Sequence, residues 1–262
     1  MNLDLVSYVF IFIIGLVFGS FYNVVGYRLP NEISIAFPSS HCPNCKHKLK
    51  FYELIPVISY IFLLGKCKEC KKRISIIYPF FEIITGLAFL ISYIIFGFNI
   101  EFFISITFLS ILIIITISDI KYFIIPDEVL IVGSAIIIIE FIINMILNDL
   151  NIYQGVISPL LNGLGSFAIL YIFKVIGDVV FRKESLGGGD IKLLFVIGLV
   201  LGLDMAIVAI FIAAFVALPF SIVSLIKNDN NILPFGPYLS IASSIILFFN
   251  LNMDMILNFF VS

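Results

Sequence analysis

The chain has 262 residues, of which 61% are hydrophobic and only 12% are charged. Soluble globular domains carry about 25% charged residues, so this composition excludes an ordinary water-soluble domain. The formal net charge of -2 says little, because the charges are segregated: nine of the fifteen Lys and Arg residues lie between Arg28 and Arg73. We interpret the chain as one polytopic membrane body that carries a small soluble insertion.

Eight apolar stretches approach the roughly 20 residues that a transmembrane helix needs. The predicted spans are 5–26, 76–96, 100–118, 129–147, 156–181, 190–203, 205–226 and 236–259. The sixth and seventh divide one run that is too long for a single crossing. We place the division around Gly202 and Asp204, which leaves the sixth span short. The two-residue alternation of strands is absent, so the prediction is an all-α polytopic membrane protein with about eight transmembrane helices.

The basic residues predict the orientation of these spans, because cytoplasmic loops are enriched in Lys and Arg. With the amino terminus outside, the cytoplasmic loops are 27–75, 119–128, 182–189 and 227–235. The short segments assigned outside carry Asp and Glu but no Lys or Arg. The sequence therefore predicts a multi-pass protein of the cytoplasmic membrane. Its parts are a first transmembrane helix at 1–26, a cytoplasmic loop at 27–75 and a membrane core at 76–262.

The 27–75 loop contains two CxxC pairs, Cys42 with Cys45 and Cys67 with Cys70. Two close pairs of thiolates suit the tetrahedral coordination of zinc, and the spacing resembles that of a zinc ribbon. Two disulfides are the alternative, which the reducing cytoplasm disfavours. A closed four-cysteine site leaves no open position for chemistry, so we expect a structural Zn²⁺ ion.

Lysines surround both CxxC pairs and raise the question of a nucleic acid partner. A basic zinc ribbon can bind nucleic acid, but this loop is tethered between two predicted membrane spans. The positive-inside rule and the anionic headgroups of the membrane explain the same lysines. We therefore expect contact with membrane lipid and no binding of nucleic acid.

Two aspartates lie where apolar stretches begin or end, and ionisable groups at such positions usually face a partner or a water-filled cavity. If the third helix ends at 118, Asp119 faces the negative end of the helix dipole, which disfavours its ionisation. Asp190 follows three glycines at the start of a helix, where the dipole favours the ionised form. An ordinary N-cap is the alternative for Asp190. Asp127 follows Pro126, and a proline-led helix start explains it without a catalytic role.

Asp119 and Asp190 are predicted on the same face of the membrane, so we expect an unequal pair that shares one proton. In this hypothesis Asp190 is the general base that activates a water. Asp119 carries the proton, polarises the scissile carbonyl and later protonates the leaving amine. Two aspartates that share one proton are typical of the active site of an aspartic hydrolase.

At these residues the chain resembles the type IV prepilin peptidases, bacterial inner-membrane aspartic proteases of the GxGD type. The similarity covers almost the whole length. The segments that carry it are Gly15 to Val25, Arg28 to Pro30, His41 to Cys45, Glu53 to Tyr60, Cys67 to Cys70, Ile74-Ser75, Tyr78-Pro79 with Glu82, Asp119 with Ile125-Pro-Asp127, Gly187 to Leu193, and Pro234 to Pro237. The family commonly has Gly-Met-Gly-x-Gly-Asp before its second aspartate. This chain departs mildly with Ser185-Leu-Gly-Gly-Gly but keeps Gly187 and Gly189 at the GxGD positions.

The resemblance implies cleavage of the short basic leader of type IV prepilin or pseudopilin precursors, just after a glycine at the cytoplasmic face. It implies that Asp119 and Asp190 are catalytic. Many members also N-methylate the new amino terminus with S-adenosylmethionine, and members with an intact four-cysteine loop usually belong to that bifunctional group. Glu53 and the first-helix motif then become candidates for methyl transfer, although the chain has no glycine-rich nucleotide fingerprint to support this.

Three other interpretations remain open at this point. The chain could be a peptidase without methyltransferase activity. A proton-coupled transporter would also use membrane carboxylates, but it predicts them near the bilayer midplane, whereas both aspartates are predicted at the membrane boundary. A non-enzymatic scaffold with a zinc-ribbon docking loop would leave both aspartates unexplained.

Overall fold

The structure is a computed structural model that describes residues 3–182, 186–226 and 233–261. Its helices are α1 (Leu3–Arg28), α2 (Ile58–Phe62), α3 (Ile77–Phe96), α4 (Ile100–Tyr122), α5 (Asp127–Leu147), α6 (Ser158–Phe181), α7 (Gly188–Leu201), α8 (Leu203–Ile226), α9 (Gly236–Phe248) and α10 (Met253–Val261). Within these ranges the extended structure amounts to two isolated bridges, both in the cysteine loop. The all-α prediction is therefore confirmed. Two predicted cytoplasmic loops, 182–189 and 227–235, lie partly outside the described residues.

Six of the described helices are long and apolar enough to cross a membrane: α1, α3, α4, α5, α6 and α8. The predicted number of eight is thus approximate. The sixth predicted span is α7, which has only 14 residues and measures about 21 Å at 1.5 Å per residue. The division around Gly202 is confirmed, because Gly202 ends α7 with a φ of 88°.

The eighth predicted span is broken into α9 and α10. Asn250 adopts the left-handed conformation with a φ of 50°, which ends a helix. Asn252 then starts the next one, because its side-chain oxygen accepts the backbone N–H of Met255 at 2.9 Å. The two asparagines therefore explain why one apolar stretch forms two short helices.

The chain divides into two compact units, residues 1–98 and 99–262. In the first unit α1 packs along α3. The Asn23 side chain of α1 donates to the backbone oxygen of Tyr78 in α3 at 3.2 Å. Helix α3, which the sequence division placed with the membrane core, thus packs with the first helix.

In the second unit α4 and α7 are the most enclosed helices. Helix α4 packs against α5 and α9, while α7 packs against α6 and α8. Leu193, Leu194, Val196 and Ile197 of α7 are fully buried. Because protein surrounds α7, it needs neither the length nor the lipid-facing surface of a helix that contacts the bilayer directly.

One carboxylate of the membrane core, Glu140, was not predicted as a site residue from the sequence. Glu140 lies in the body of α5, and the Thr107 hydroxyl of α4 donates to its Oε1 at 2.8 Å. Interhelical hydrogen bonds of this kind stabilise helix pairs inside a membrane. This hydrogen bond joins α4, which carries Asp119, to α5, which begins after the next loop.

Candidate active site and metal centre

Asp119 lies one turn before the end of α4. The sequence predicted an end at residue 118, but the helix continues to Tyr122. Phe123 then adopts the left-handed conformation, and its N–H donates to the backbone oxygen of Asp119 at 3.0 Å. Asp119 therefore belongs to the last full turn of α4, close to the negative end of the helix dipole.

The carboxyl group of Asp119 is buried and bound to the start of α9. The residue is only 6% exposed, and its Oδ2 accepts the backbone N–H of Gly236 at 3.0 Å. A Cβ atom on residue 236 would lie 2.7 Å from that oxygen, so any larger residue would displace the carboxyl group. From the sequence, the Pro234–Pro237 segment was only a motif of unknown role. In the structure it supplies a hydrogen bond to Asp119.

Asp190 is the third residue of α7 and is 8% exposed. Its Oδ1 is buried and has no hydrogen-bond partner among the described residues. The carboxyl groups of Asp119 and Asp190 lie within electrostatic range of one another, so the structure brings the two predicted residues into one site. Because an unpartnered carboxylate oxygen is costly to bury, fold stability does not explain the placement of Asp190.

The start of α7 is fixed against the loop that follows Asp119. A Cβ atom on Gly189 would lie 2.7 Å from the Cβ of Ile125, so this contact requires glycine. On the next turn the Lys192 ammonium group binds the Asp127 carboxylate, with Nζ 2.7 Å from Oδ2. From the sequence, the proline-led helix start was a sufficient explanation for Asp127. That start at Asp127 is confirmed, but the ion pair with Lys192 was missed because it joins residues 65 positions apart.

The four cysteine thiols of the first unit form a compact cluster, with all four Sγ atoms within 4.8 Å of one another. The Sγ atoms of Cys42 and Cys70 are 3.8 Å apart, and those of Cys45 and Cys67 are 3.9 Å apart. A tetrahedral ion with Zn–S bonds of about 2.3 Å separates its sulfur ligands by about 3.8 Å, whereas a disulfide bond is about 2.05 Å long. The cluster therefore fits a tetrahedral metal ion and not a pair of disulfides.

The pKa values of two of these thiols are shifted in opposite directions. The backbone N–H of Cys45 lowers the pKa of the Cys42 thiol to about 6. The backbone N–H of His47 acts in the same direction on Cys45, but burial and the neighbouring sulfur atoms outweigh it and raise the pKa of Cys45 to about 11. A bound cation stabilises the several thiolates that otherwise repel one another.

Comparison with known proteins gives consistent matches along the chain. The model of the "Bacterial Peptidase A24 N-terminal domain" matches residues 13–96, and that of the "Type IV leader peptidase family" matches residues 106–222. The prepilin leader peptidase/N-methyltransferase of Bacillus subtilis (strain 168) is 34% identical over 96% of each chain. The chain belongs to the type IV leader peptidase family.

Two further relatives with similar names also match most of the chain. The type 4 prepilin-like proteins leader peptide-processing enzyme of Escherichia coli O78:H11 is 30% identical over 87% of this chain and 88% of the relative. The prepilin leader peptidase/N-methyltransferase of Legionella pneumophila is 27% identical over 97% of this chain and 94% of the relative. No solved structure matches the chain at a significant level. This leader peptidase family member is thus an enzyme with a multi-pass membrane fold.

Glu53 lies beside the metal centre, in a short 3₁₀ turn at Phe51–Glu53. Its side chain is only 1% exposed, and its Oε2 accepts the Lys50 N–H at 2.8 Å and lies 3.1 Å from the His47 ring nitrogen Nε2. Burial raises the pKa of the Glu53 carboxyl, but the Lys50 N–H and His47 outweigh it and lower the pKa overall. The backbone oxygen of His47 accepts the Cys42 N–H at 2.9 Å, so Glu53 is connected to the first CxxC pair through His47.

Replacing Gly189 by Ala is expected to lower cleavage of a prepilin peptide by about 100-fold, because the new methyl group must push the start of α7 away from Ile125. The matched control is Gly188→Ala, since a Cβ atom on Gly188 meets nothing within 4 Å. Initial rates of the two variants on one peptide measure the difference. Equal rates would contradict the requirement for close contact at residue 189.

Proposed function

We propose that this chain is an endopeptidase that removes the basic leader from type IV prepilin-like precursors, after a glycine, with Asp119 and Asp190 as its catalytic pair. One observation carries the assignment: two buried carboxyl groups from distant parts of the chain lie within electrostatic range of one another, and Oδ1 of Asp190 has no hydrogen-bond partner among the described residues. The prepilin peptidase names of the relatives supply the substrate class.

The two aspartates have different surroundings, which supports different roles. Asp190 lies at the positive end of the α7 dipole, which stabilises a carboxylate, whereas Asp119 lies at the negative end of α4. Gly236 donates to the Oδ2 of Asp119, which leaves Oδ1 as the oxygen that carries the proton. Asp190 is then the general base and Asp119 the general acid.

The reaction follows from these roles. Asp190 takes a proton from a water molecule, and the water oxygen bonds to the scissile carbonyl carbon. Asp119 donates its hydrogen bond to the carbonyl oxygen, which becomes negative as the tetrahedral intermediate forms. Asp119 gives its proton to the leaving nitrogen and the C–N bond breaks, which releases the leader as a carboxylic acid and the mature segment as an amine. The proton that Asp190 took from water then returns to Asp119, which restores the pair.

A second activity, N-methylation of that amine with S-adenosylmethionine, also belongs to the proposal. Relatives that match almost the whole chain carry the name prepilin leader peptidase/N-methyltransferase. Glu53 is the candidate residue for methyl transfer, because it is a buried carboxylate whose Oε1 has no hydrogen-bond partner among the described residues. A peptidase without this activity is the alternative.

Replacing Glu53 by Gln is expected to stop methylation while leaving leader cleavage intact, because the change removes the charge but little volume. Mass spectrometry of the product measures both events. The matched control is Glu69→Gln, an exposed glutamate of the same loop. Metal content is measured in parallel, since loss of the metal in Glu53→Gln would assign Glu53 to support of the cysteine loop through His47 and not to methyl transfer.

We propose Zn²⁺ as the ion of the four-cysteine centre, held by Cys42, Cys45, Cys67 and Cys70. Four sulfur ligands at tetrahedral distances are typical of structural zinc and leave no position for a substrate. The ion would hold the two CxxC pairs together and take no part in peptide hydrolysis.

The distribution of basic residues supports a bacterial inner-membrane location with the amino terminus outside. In this topology the cysteine loop and both aspartates are on the cytoplasmic side, where the basic leader of a precursor also lies. Cysteine labelling of loop residues in sealed membrane vesicles tests the orientation.

The decisive experiment is incubation of the purified protein with a prepilin peptide, followed by mass spectrometry with and without S-adenosylmethionine. Loss of the leader mass tests the peptidase, and a further gain of 14 Da, about the mass of one CH₂ group, tests the methyltransferase. An intact peptide under both conditions would contradict the proposal, and cleavage without the methyl gain would support the peptidase-only alternative.

A further inference from the structure

The second half of the cysteine loop carries an exposed apolar patch that neither the candidate active site nor the metal centre uses. It consists of Ile58, Ile61 and Phe62 of α2 and Leu64 in the turn that follows, and we refer to these four residues as the α2 surface. Phe62 and Leu64 are 83% and 81% exposed, although both are large and apolar. Single exposed apolar residues need no explanation, but a contiguous patch of them marks an interaction site.

The α2 surface points away from the rest of the loop. Residues three and four apart share one face of a helix, so Ile58, Ile61 and Phe62 lie side by side. Tyr60 lies on the opposite face of α2, where its hydroxyl donates to the backbone oxygen of Ile74 at 3.4 Å. The loop therefore packs against Tyr60 and leaves the other face of α2 uncovered.

The first unit holds α2 beside the start of α3. The N–H of Val57, the residue before α2, donates to the Oε2 of Glu82 in α3 at 2.7 Å. Helix α3 has 20 residues and measures about 30 Å at 1.5 Å per residue, which is the thickness of the hydrocarbon core. Side chains on a helix tilt toward its amino terminus, so Glu82 reaches back toward the membrane boundary. Helix α2 thus begins near the level at which α3 enters the membrane.

Lysines border the α2 surface. A cavity of about 270 Å³ is lined by Phe62 and Leu64 together with Lys66, Lys68 and Lys71. The ammonium groups of Lys66 and Lys71 are exposed and form no ion pair within the part of the chain that the structure describes. An apolar face bordered by cations is typical of a segment that lies on a membrane with anionic lipids.

We propose that the α2 surface inserts into the headgroup region of the surrounding membrane. Phe62 and Leu64 enter the upper part of the acyl chains, while Lys66 and Lys71 bind the phosphates of anionic lipids. The bilayer satisfies both parts of this surface, because apolar side chains leave water and the ammonium groups stay among the headgroups.

The bilayer is the occupant because the loop cannot leave it. Helices α1 and α3, which flank the loop, are both long and apolar enough to span the membrane, so the membrane surface is always within reach of α2. Cys67 lines the same cavity as the lysines, and the metal centre is therefore held at the membrane surface as well.

Tryptophan fluorescence tests the insertion, because the chain contains no tryptophan and a single introduced one reports only its own surroundings. Phe62→Trp places the reporter on the α2 surface. The matched control is Phe51→Trp, since Phe51 is 85% exposed in the same loop but does not belong to the α2 surface. Each full-length protein is placed in lipid nanodiscs that contain phosphatidylglycerol, with or without bromine atoms on the upper acyl chains.

We expect the brominated lipids to quench the fluorescence of Phe62→Trp by about threefold and that of Phe51→Trp by less than about 1.5-fold. A water-soluble quencher is expected to show the opposite preference. Equal quenching by lipid at the two positions would overturn the inference, and so would protection of residue 62 from both quenchers, because protein would then cover it. Metal content shows that the loop is folded, and Leu64→Trp replaces Phe62→Trp if that variant loses the metal.

A photo-crosslinking side chain at residue 64 identifies the occupant directly. We expect it to capture lipid, and capture of protein alone would overturn the inference. Replacing Lys66 and Lys71 together by Gln is expected to lower the capture of phosphatidylglycerol relative to phosphatidylcholine by about threefold. The matched control replaces Lys46 and Lys48, two exposed lysines of the first half of the loop, and is expected to keep the ratio. An unchanged ratio in the first variant would contradict the role of Lys66 and Lys71.

Discussion

Replacing Asp190 by Asn is expected to abolish leader cleavage, with a fall in kcat of at least about a thousandfold, and Asp119→Asn is expected to do the same. An amide in place of Asp190 cannot accept the proton of the attacking water. An amide in place of Asp119 cannot deliver a proton to the leaving nitrogen. Cleavage of a prepilin peptide, followed by mass spectrometry, measures both losses.

The stability of these variants separates catalysis from folding. Because Asp190 buries an oxygen without a hydrogen-bond partner among the described residues, the neutral amide is expected to leave the melting temperature unchanged or slightly raised. Asp204→Asn is the matched control, since Asp204 is an exposed acid in the first turn of α8. Retained cleavage in either catalytic variant, or a collapse of both folds, would contradict the assignment.

Replacing Cys67 by Ser is expected to remove the metal ion and to unfold the cysteine loop. Cys67 is buried, and its Sγ lies 3.9 Å from that of Cys45. Structural zinc sites contribute about 10 kcal/mol or more of apparent binding free energy, which is far more than a small loop gains from its own packing. Metal analysis of the purified variant and limited digestion with trypsin at the lysines of the loop measure the two effects.

A control and a chemical treatment distinguish a metal site from disulfides. His41→Ala is expected to keep the metal, because the His41 ring contacts the Ser39 backbone oxygen and lies outside the four-sulfur cluster. A chelator is expected to make the loop of the unmodified protein sensitive to trypsin, whereas a thiol reductant is not. The opposite response would show that disulfides hold the loop.

The helices of this chain were largely predictable, because a membrane demands long apolar stretches and the start and end signals were local. Pro126 before Asp127 predicted the start of α5, and Gly202 predicted the division between α7 and α8. The end of α4 was predicted four residues too early, since an aspartate in the last turn contradicts the usual preference of the helix dipole. The break in the eighth predicted span was missed, although Asn250 and Asn252 carried the signal.

The candidate site was predictable in its residue types and less so in its contacts. The positions of Asp119 and Asp190 at the ends of apolar stretches indicated chemistry, because carboxylates are costly there. Their partners could not be read from the sequence. The N–H of Gly236 reaches Asp119 across 117 residues, and Lys192 binds Asp127 across 65. Such contacts depend on how helices pack, and apolar periodicity does not specify which helices become neighbours.

The Gly-Gly-Gly-Asp run at 187–190 illustrates what the sequence and the tertiary structure each contribute to the site. The sequence by itself determined that an aspartate follows a flexible glycine segment at the start of an apolar helix, and that four cysteines are spaced for one tetrahedral ion. Only the tertiary structure decided why residue 189 must be glycine and which backbone N–H binds the Asp119 carboxyl group. The physical reason is the distance along the sequence over which each effect acts. Hydrophobicity, capping and ligand spacing act over a few residues, whereas the contacts between α4, α7 and α9 form only when the helices pack.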